Sequence, residues 1–158
     1  MLSQDTKVLS VSLIGGFITI LIIASLLGTA LGESIMAITP VGEFPQALEY
    51  NPSNNYIYVA NRDSGTVSVI DNTNNTLLKN VVVGTEPIAL EFNPSNNYIY
   101  VANVVSNSVS MIESNNNTVA DMVNVSSLPI TLEFNPSNDD VYVAGTLTGT
   151  EGLVSIIG

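Results

Sequence analysis

Apolar and polar residues alternate in short runs through most of the chain after residue 40. The stretches YIYVAN at 56–61 and TVSVID at 66–71 are rich in β-branched and aromatic residues, and Asn, Ser and Gly lie in the turns around them. Such runs, bounded by turn residues, are typical of β-strands. No stretch after residue 33 places apolar residues at helical spacing over ten positions, so the sequence predicts an all-β domain over residues 33–158.

The strand pattern repeats every 42 residues. NPSNNYIYVAN occurs unchanged at 51–61 and 93–103, and it returns as NPSNDDVYVAG at 135–145. Each repeat reads as four strands joined by tight turns, which is the content of one β-propeller blade. We therefore expect a partial β-propeller of about three four-stranded blades. A β-solenoid is the minority alternative, since its coils usually repeat at a shorter interval.

The repeat also sets the expected blade limits, which are approximately 43–84, 85–126 and 127–158. Residues 35–42 align with the fourth strand of a blade, so we expect them to form an orphan outer strand. The chain ends at a segment that aligns with a third strand. Because three blades are fewer than the 4–8 of closed propellers, we expect head-to-tail closure between chains in a homo-oligomer, or pairing with other propeller or surface proteins.

An uncharged apolar segment precedes the repeats, from Val8 to Leu31. Its length as a helix suffices to cross the ~30 Å hydrocarbon core of a bilayer. The sequence thus predicts a transmembrane anchor or signal peptide over 8–32, after a cytoplasmic N-terminus at 1–7. Lys7 precedes the segment and Glu33 follows it, so residues 33–158 are expected outside the cell, or secreted if the segment is cleaved.

Charge and composition exclude several functions. The formal net charge is −11, with only three basic residues, which argues against binding to nucleic acid. The chain has no Cys and no His, which removes disulfides, thiol nucleophiles and histidine relays. It also has no Gly-rich phosphate loop and no G-x-S-x-G motif, so we expect a protein that is not an enzyme and has no cofactor. Carboxylate-based lyase or hydrolase chemistry is the alternative that residue types leave open.

Three glutamates are candidate metal ligands: Glu49, Glu91 and Glu133 hold the same repeat position on the predicted innermost strands. A ring of such carboxylates could hold a hard cation, whereas the simpler interpretation is a solvated residue copied by duplication. Three Asn residues lie in glycosylation sequons: Asn74, Asn116 and Asn124.

The motifs YVAN at 58–61 and VSVID at 67–71, with a Gly and a Pro before each first strand, resemble the YVTN-type β-propeller repeat. That family is common in archaeal and bacterial cell-surface and surface-layer-like proteins. The resemblance implies a surface propeller and names no substrate. We therefore expect a surface-exposed binding or structural module at the cell envelope. The alternatives are the carboxylate-based lyase or hydrolase, and a shortened, non-functional paralogue of a longer propeller.

Overall fold

The computed structural model describes residues 35–125, 128–147 and 151–158. The predicted anchor or signal helix at 8–32 lies outside these residues. Among the described residues, no helix is long and apolar enough to span a bilayer.

The described part of the chain forms eleven β-strands in three antiparallel sheets, as the alternating pattern predicts. The first sheet contains β1 (Pro45–Asn51), β2 (Tyr56–Asn61), β3 (Thr66–Asp71) and β4 (Thr76–Val82). The second contains β5 (Pro87–Asn93), β6 (Tyr98–Asn103), β7 (Ser108–Glu113) and β8 (Thr118–Asn124). The third contains β9 (Leu128–Asn135), β10 (Asp140–Thr146) and β11 (Gly152–Ile157). We call these sheets blades 1, 2 and 3.

Residues 35–42 form no strand in the structure, which corrects the expectation of an orphan outer strand. None of the described strands lies beside this segment to form a ladder with it. A strand conformation depends on a hydrogen-bonded neighbour, so the sequence pattern alone does not produce one here. The hydroxyl of Thr39 instead donates to the carbonyl oxygen of Asn75, in the turn between β3 and β4.

The three blades share an inner side. Strand β1 packs along β5, and β5 packs along β9, whereas the outer strands β4 and β8 scarcely meet. Because each blade is ordered from its inner to its outer strand, the sheets spread apart from the inner strands outward. This is the arrangement of blades in a propeller.

Two apolar layers hold the blades together. The first layer joins blade 1 to blade 2 through ten buried side chains: Tyr58, Ala60, Val67, Val69, Val81, Leu90, Phe92, Ile99, Val101 and Ile112. The second joins blade 2 to blade 3 through eight: Tyr100, Ala102, Val109, Met111, Val125, Leu132, Val141 and Val143. In each layer one blade contributes the side chains of one sheet face, and the next blade contributes the opposite face. Successive blades therefore pack through the same repeat positions.

The turn between the first and second strands has the same conformation in all three blades, because an Asn or Asp occupies its left-handed position. Asn55, Asn97 and Asp139 occupy the same turn of successive repeats with φ of 61°, 62° and 62°. This left-handed conformation is several times more accessible to Asn and Asp than to other non-glycine residues. In the same turn, the side chain of Asn51 accepts a hydrogen bond from the amide of Ser53 at 2.8 Å. The NPSNN motif is therefore explained by the turn that it forms.

Candidate site at the inner strands

The three candidate glutamates lie in a row across the inner strands. Glu49 is on β1, Glu91 on β5 and Glu133 on β9. Each pairs across its blade with the tyrosine that begins the YVA sequence of the second strand, which is Tyr58, Tyr100 or Tyr142. Glu49 and Glu91 are partly exposed, and Glu133 is exposed.

Two of these carboxylates connect their own blade to the next one. Oε1 of Glu91 accepts a hydrogen bond from the backbone amide of Phe134 at 3.2 Å. The backbone amide of Phe92 acts on the carboxylate of Glu49 in the same sense and lowers its pKa. An inner strand has a neighbour on one side only, so some of its N–H groups lie on a free edge without a ladder partner. The glutamate of the preceding blade satisfies one of these groups. This contact gives the repeated glutamate a structural role.

The row of carboxylates is electrostatically coupled. Partial burial raises the pKa of Glu49, and the charge of Glu91 adds to that increase. Partial burial likewise raises the pKa of Glu91, with a further contribution from Glu133. The backbone amides of Phe92 and Phe134 oppose these effects, because they stabilise the ionised form.

The raised pKa values predict a pH dependence of stability. A carboxyl group whose pKa is raised by folding binds its proton more tightly in the folded protein than in the unfolded chain. This proton binding stabilises the fold fully below the ordinary pKa of 4.5, and the stabilisation is lost as the pH rises through the raised folded-state pKa. Glu91→Gln retains an acceptor for the Phe134 amide and removes the charge. We expect the free energy of unfolding of this variant, relative to that of the wild type, to increase as the pH rises from 4 to 7.

Chemical denaturation at a series of pH values measures this difference. Glu49→Gln should show the same sign, and the double variant should gain less than the sum of the two, because the two charges interact. A difference that is constant with pH would contradict the account.

The described residues contain no group of three His, Cys, Asp or Glu side chains placed to hold a metal ion. The row nevertheless offers carboxylate oxygens on adjacent strands. These oxygens can accept hydrogen bonds from the hydroxyl groups of a ligand, and a carboxylate of raised pKa can take up a proton.

A cleft of about 530 Å³, which was not expected from the sequence, lies between blades 1 and 2, at the ends of the blades where β2 turns into β3. Arg62 crosses it and donates to Oε2 of Glu86 at 2.7 Å, with its guanidinium 5.8 Å from the centre of the Phe44 ring. Blade 2 has Val104 at the position of Arg62. Arg62 was the signal in the sequence that could have indicated this cleft. It is one of only three basic residues, and it lies where two near-identical repeats differ.

The sequon asparagines are all exposed. Asn74 and Asn116 lie in equivalent turns between the third and fourth strands, and Asn124 ends β8. The side chain of Asn74 accepts hydrogen bonds from the amide and hydroxyl of Thr76 at 3.1 and 2.7 Å, and Asn116 makes the same pair with Thr118 at 3.0 and 2.7 Å. Their glycosylation stays a prediction.

Comparison with solved structures finds propellers, and each is similar to this chain in fold alone at these identities. Hydrazine synthase of Kuenenia stuttgartiensis is 24% identical with a TM-score of 0.67, over 72% of this chain and 33% of that chain. The dihydro-heme d1 dehydrogenase NirN, in complex with DHE, is 15% identical with a TM-score of 0.64, over 76% and 27%. A functionally unknown protein from Desulfotomaculum acetoxidans DSM 771 is 24% identical with a TM-score of 0.59, over 67% and 36%. The chain thus spans about a third of the length of these structures. No curated protein matches the chain significantly in sequence.

Residues 43–124 match the family described as Lactonase, 7-bladed beta-propeller. The match covers blades 1 and 2 and more than half of the chain. It confirms the propeller part of the resemblance noted from the sequence. It also corrects the expectation that the protein is not an enzyme, because the matched family is named for an enzymatic activity and two of the similar structures are enzymes by name. The chain belongs to the seven-bladed β-propeller lactonase family.

Proposed function

We propose that this chain contributes blades to a propeller that binds and hydrolyses a hydroxylated lactone at the row of inner-strand glutamates. The observation that carries the proposal is the row itself: three carboxylates on adjacent inner strands, two of them with raised pKa, in a chain of the lactonase family. Because the chain spans about a third of the similar structures, the activity is assigned to the ring that these blades help to form.

Lactone hydrolysis needs a group that activates water. In the proposed reaction, Glu91 accepts a proton as water adds to the ring carbonyl, and the proton passes to the ring oxygen as the C–O bond breaks. The product is a hydroxy acid. A carboxylate whose pKa is raised toward the working pH is a more effective general base. The hydrogen bond from Phe134 to Oε1 fixes the orientation of Glu91 and leaves Oε2 for the water.

The test measures hydrolysis of a panel of aldonolactones by the full chain in detergent. A pH-stat records the acid that is released, and the rate is corrected for a blank without protein. Glu91→Gln retains the backbone contact and removes the base, so we expect its rate to fall by about 10²–10⁴-fold. Glu113→Gln is the matched control, because Glu113 ends the third strand of the same blade, and it should retain the wild-type rate. A closed propeller ring that contains the wild-type chain, checked by native mass spectrometry, but hydrolyses no lactone above the blank would refute the proposal.

The proposed setting is the cell envelope, where the propeller would act as an exposed binding and structural module. The uncharged segment 8–31 supports this location, and the YVAN and VSVID motifs support a YVTN-type, surface-layer-like context. Cell fractionation with N-terminal sequencing tests it. Recovery of the intact chain from the cytosol would contradict the envelope location.

A further inference from the structure

We propose that the cleft between blades 1 and 2 binds a neutral sugar, and that Arg62 and Glu86 recognise two of its neighbouring hydroxyl groups. The cleft has a volume of about 530 Å³ and is lined by residues 62–65 and 82–86. The first segment joins β2 to β3, and the second joins β4 to β5. Both walls therefore belong to blade 1 and its connection to blade 2, in the interior of the repeat array.

The fold does not require charged residues at this junction. In the next repeat, Val104 holds the position of Arg62, and Leu128 holds that of Glu86. The backbone contact is the same in both repeats. The amide of Arg62 donates to the carbonyl oxygen of Phe44 at 2.9 Å, and the amide of Val104 donates to that of Glu86 at 3.0 Å. Blade 2 thus has two apolar residues where blade 1 has an Arg and a Glu.

An ion pair that only links two blades is the simpler interpretation of the contact between Arg62 and Glu86. The two side chains are 38% and 31% exposed, and ion pairs on a protein surface add little to stability. Nε and Nη2 of Arg62 both donate to Oε2 of Glu86, at 2.9 and 2.7 Å. The strongest pairs of this kind use both carboxylate oxygens. This pair is therefore a weak link between the blades.

The remaining polar groups of the pair are complementary to adjacent hydroxyl groups. Among the described residues, none accepts a hydrogen bond from Nη1 of Arg62, and none donates one to Oε1 of Glu86. Both side chains line the cleft, so N–H donors lie there beside a carboxylate acceptor. A hydroxyl group both donates and accepts hydrogen bonds. Neighbouring hydroxyls of a sugar ring can therefore accept from the guanidinium and donate to the carboxylate.

The other lining residues select for a ligand without negative charge. Asp63 adds a second carboxylate to the cleft, and a phosphate or carboxylate ligand would be repelled by it and by Glu86. Val83 is half-buried and offers an apolar wall to the C–H face of a sugar ring. A neutral, polyhydroxylated ligand fits this combination of groups.

The cleft is separate from the row of inner-strand glutamates. Glu86 precedes β5, and Glu91 lies four residues beyond Pro87 on that strand, which is about 13 Å of extended chain. A lactone of one ring that is bound at Glu91 does not reach Arg62. The sugar site is therefore independent of the proposed lactone hydrolysis, and either proposal can fail without the other.

Nuclear magnetic resonance titration of the full chain in detergent tests the proposal. The probes are glucose, mannose, N-acetylglucosamine and a trisaccharide of each, which separate a site for a free sugar from one for a glycan chain. We expect at least one probe to cause saturable shifts of the amide signals of Ser64 and Thr85, which line the cleft. Inorganic phosphate, the anionic probe, should cause none.

Two variants that introduce blade 2 or blade 3 residues into equivalent positions provide the comparison. Arg62→Val combined with Glu86→Leu should fold and bind the sugar at least about tenfold more weakly, because hydrogen bonds to both charged groups are lost. Lys79→Asp is the matched control. It removes another basic residue and introduces the residue that blade 2 has there, Asp121, on the exposed outer strand, so the affinity should stay unchanged.

Circular dichroism first establishes that each protein is folded. Absence of shifts at Ser64 and Thr85 with all six sugars in the folded wild type would overturn the proposal. So would binding that survives the double substitution, or phosphate that shifts the same signals as strongly as the sugars. If the double variant does not fold, Arg62→Lys decides, since Lys keeps the charge but lacks the planar fork of donors. Unchanged affinity in Arg62→Lys would also contradict the proposal.

Discussion

Replacing Leu90 with Asp should leave the propeller domain largely unfolded. Leu90 lies in the layer between blades 1 and 2 and is 8% exposed, so the variant would place a carboxylate among apolar side chains. Burial of an unpaired charge is among the few mechanisms that cost about 4–5 kcal/mol or more. Domains of this size have about 5–15 kcal/mol in total. Far-ultraviolet circular dichroism and thermal melting of the full chain measure the loss.

Leu48→Asp is the matched control for Leu90→Asp. It makes the same substitution at the same repeat position, on the face of blade 1 that no other described blade covers, where the side chain is 68% exposed. We expect this variant to fold, with a melting temperature close to that of the wild type. Equal destabilisation by both substitutions would show that the blade order described here is wrong.

Ile112→Ala should lower the free energy of unfolding by about 2–5 kcal/mol, because a fully buried side chain is removed from the layer between blades 1 and 2. Ile70 holds the same position in blade 1, on the face that no other described blade covers, and is half-buried. The loss of unfolding free energy in Ile70→Ala should therefore be clearly smaller than in Ile112→Ala. Denaturant titration at low protein concentration gives both values.

One outcome for Ile112→Ala would contradict the packing described here. If Ile112→Ala leaves the denaturation midpoint unchanged, the layer between blades 1 and 2 does not exist as described. Equal losses in Ile70→Ala and Ile112→Ala would show that the two isoleucines do not differ in burial as described.

The sequence predicted the strands well because their pattern is local. YIYVAN and TVSVID form β2 and β3 between the turns expected for them. The strong turn preference of Asn sets where each hairpin reverses, and this preference is independent of the rest of the fold. Residues 35–42 were placed wrongly, because a strand also requires a neighbour, and no sequence pattern supplies one.

The burial of residues at equivalent repeat positions could not be predicted from the sequence. Leu48 and Leu90 are the same residue in the same repeat position, yet only one is covered by a neighbouring blade. Sequence analysis likewise weighed the inner-strand glutamates as cation ligands or as solvated copies. The backbone contact from Glu91 to Phe134 joins two positions 43 residues apart, which only the packing of one blade on another brings together. The pairing of Arg62 with Glu86 is long-range for the same reason.

The central claim is that two inner-strand glutamates, Glu49 and Glu91, link their own blade to the next one through a backbone amide. Amide hydrogen exchange, measured by nuclear magnetic resonance on the full chain in detergent, tests this most directly at Phe92 and Phe134. The account predicts slow exchange at both amides, with protection at Phe92 lost in Glu49→Ala and protection at Phe134 lost in Glu91→Ala. Rapid exchange at both amides in the folded wild type, or protection that survives both substitutions, would contradict it.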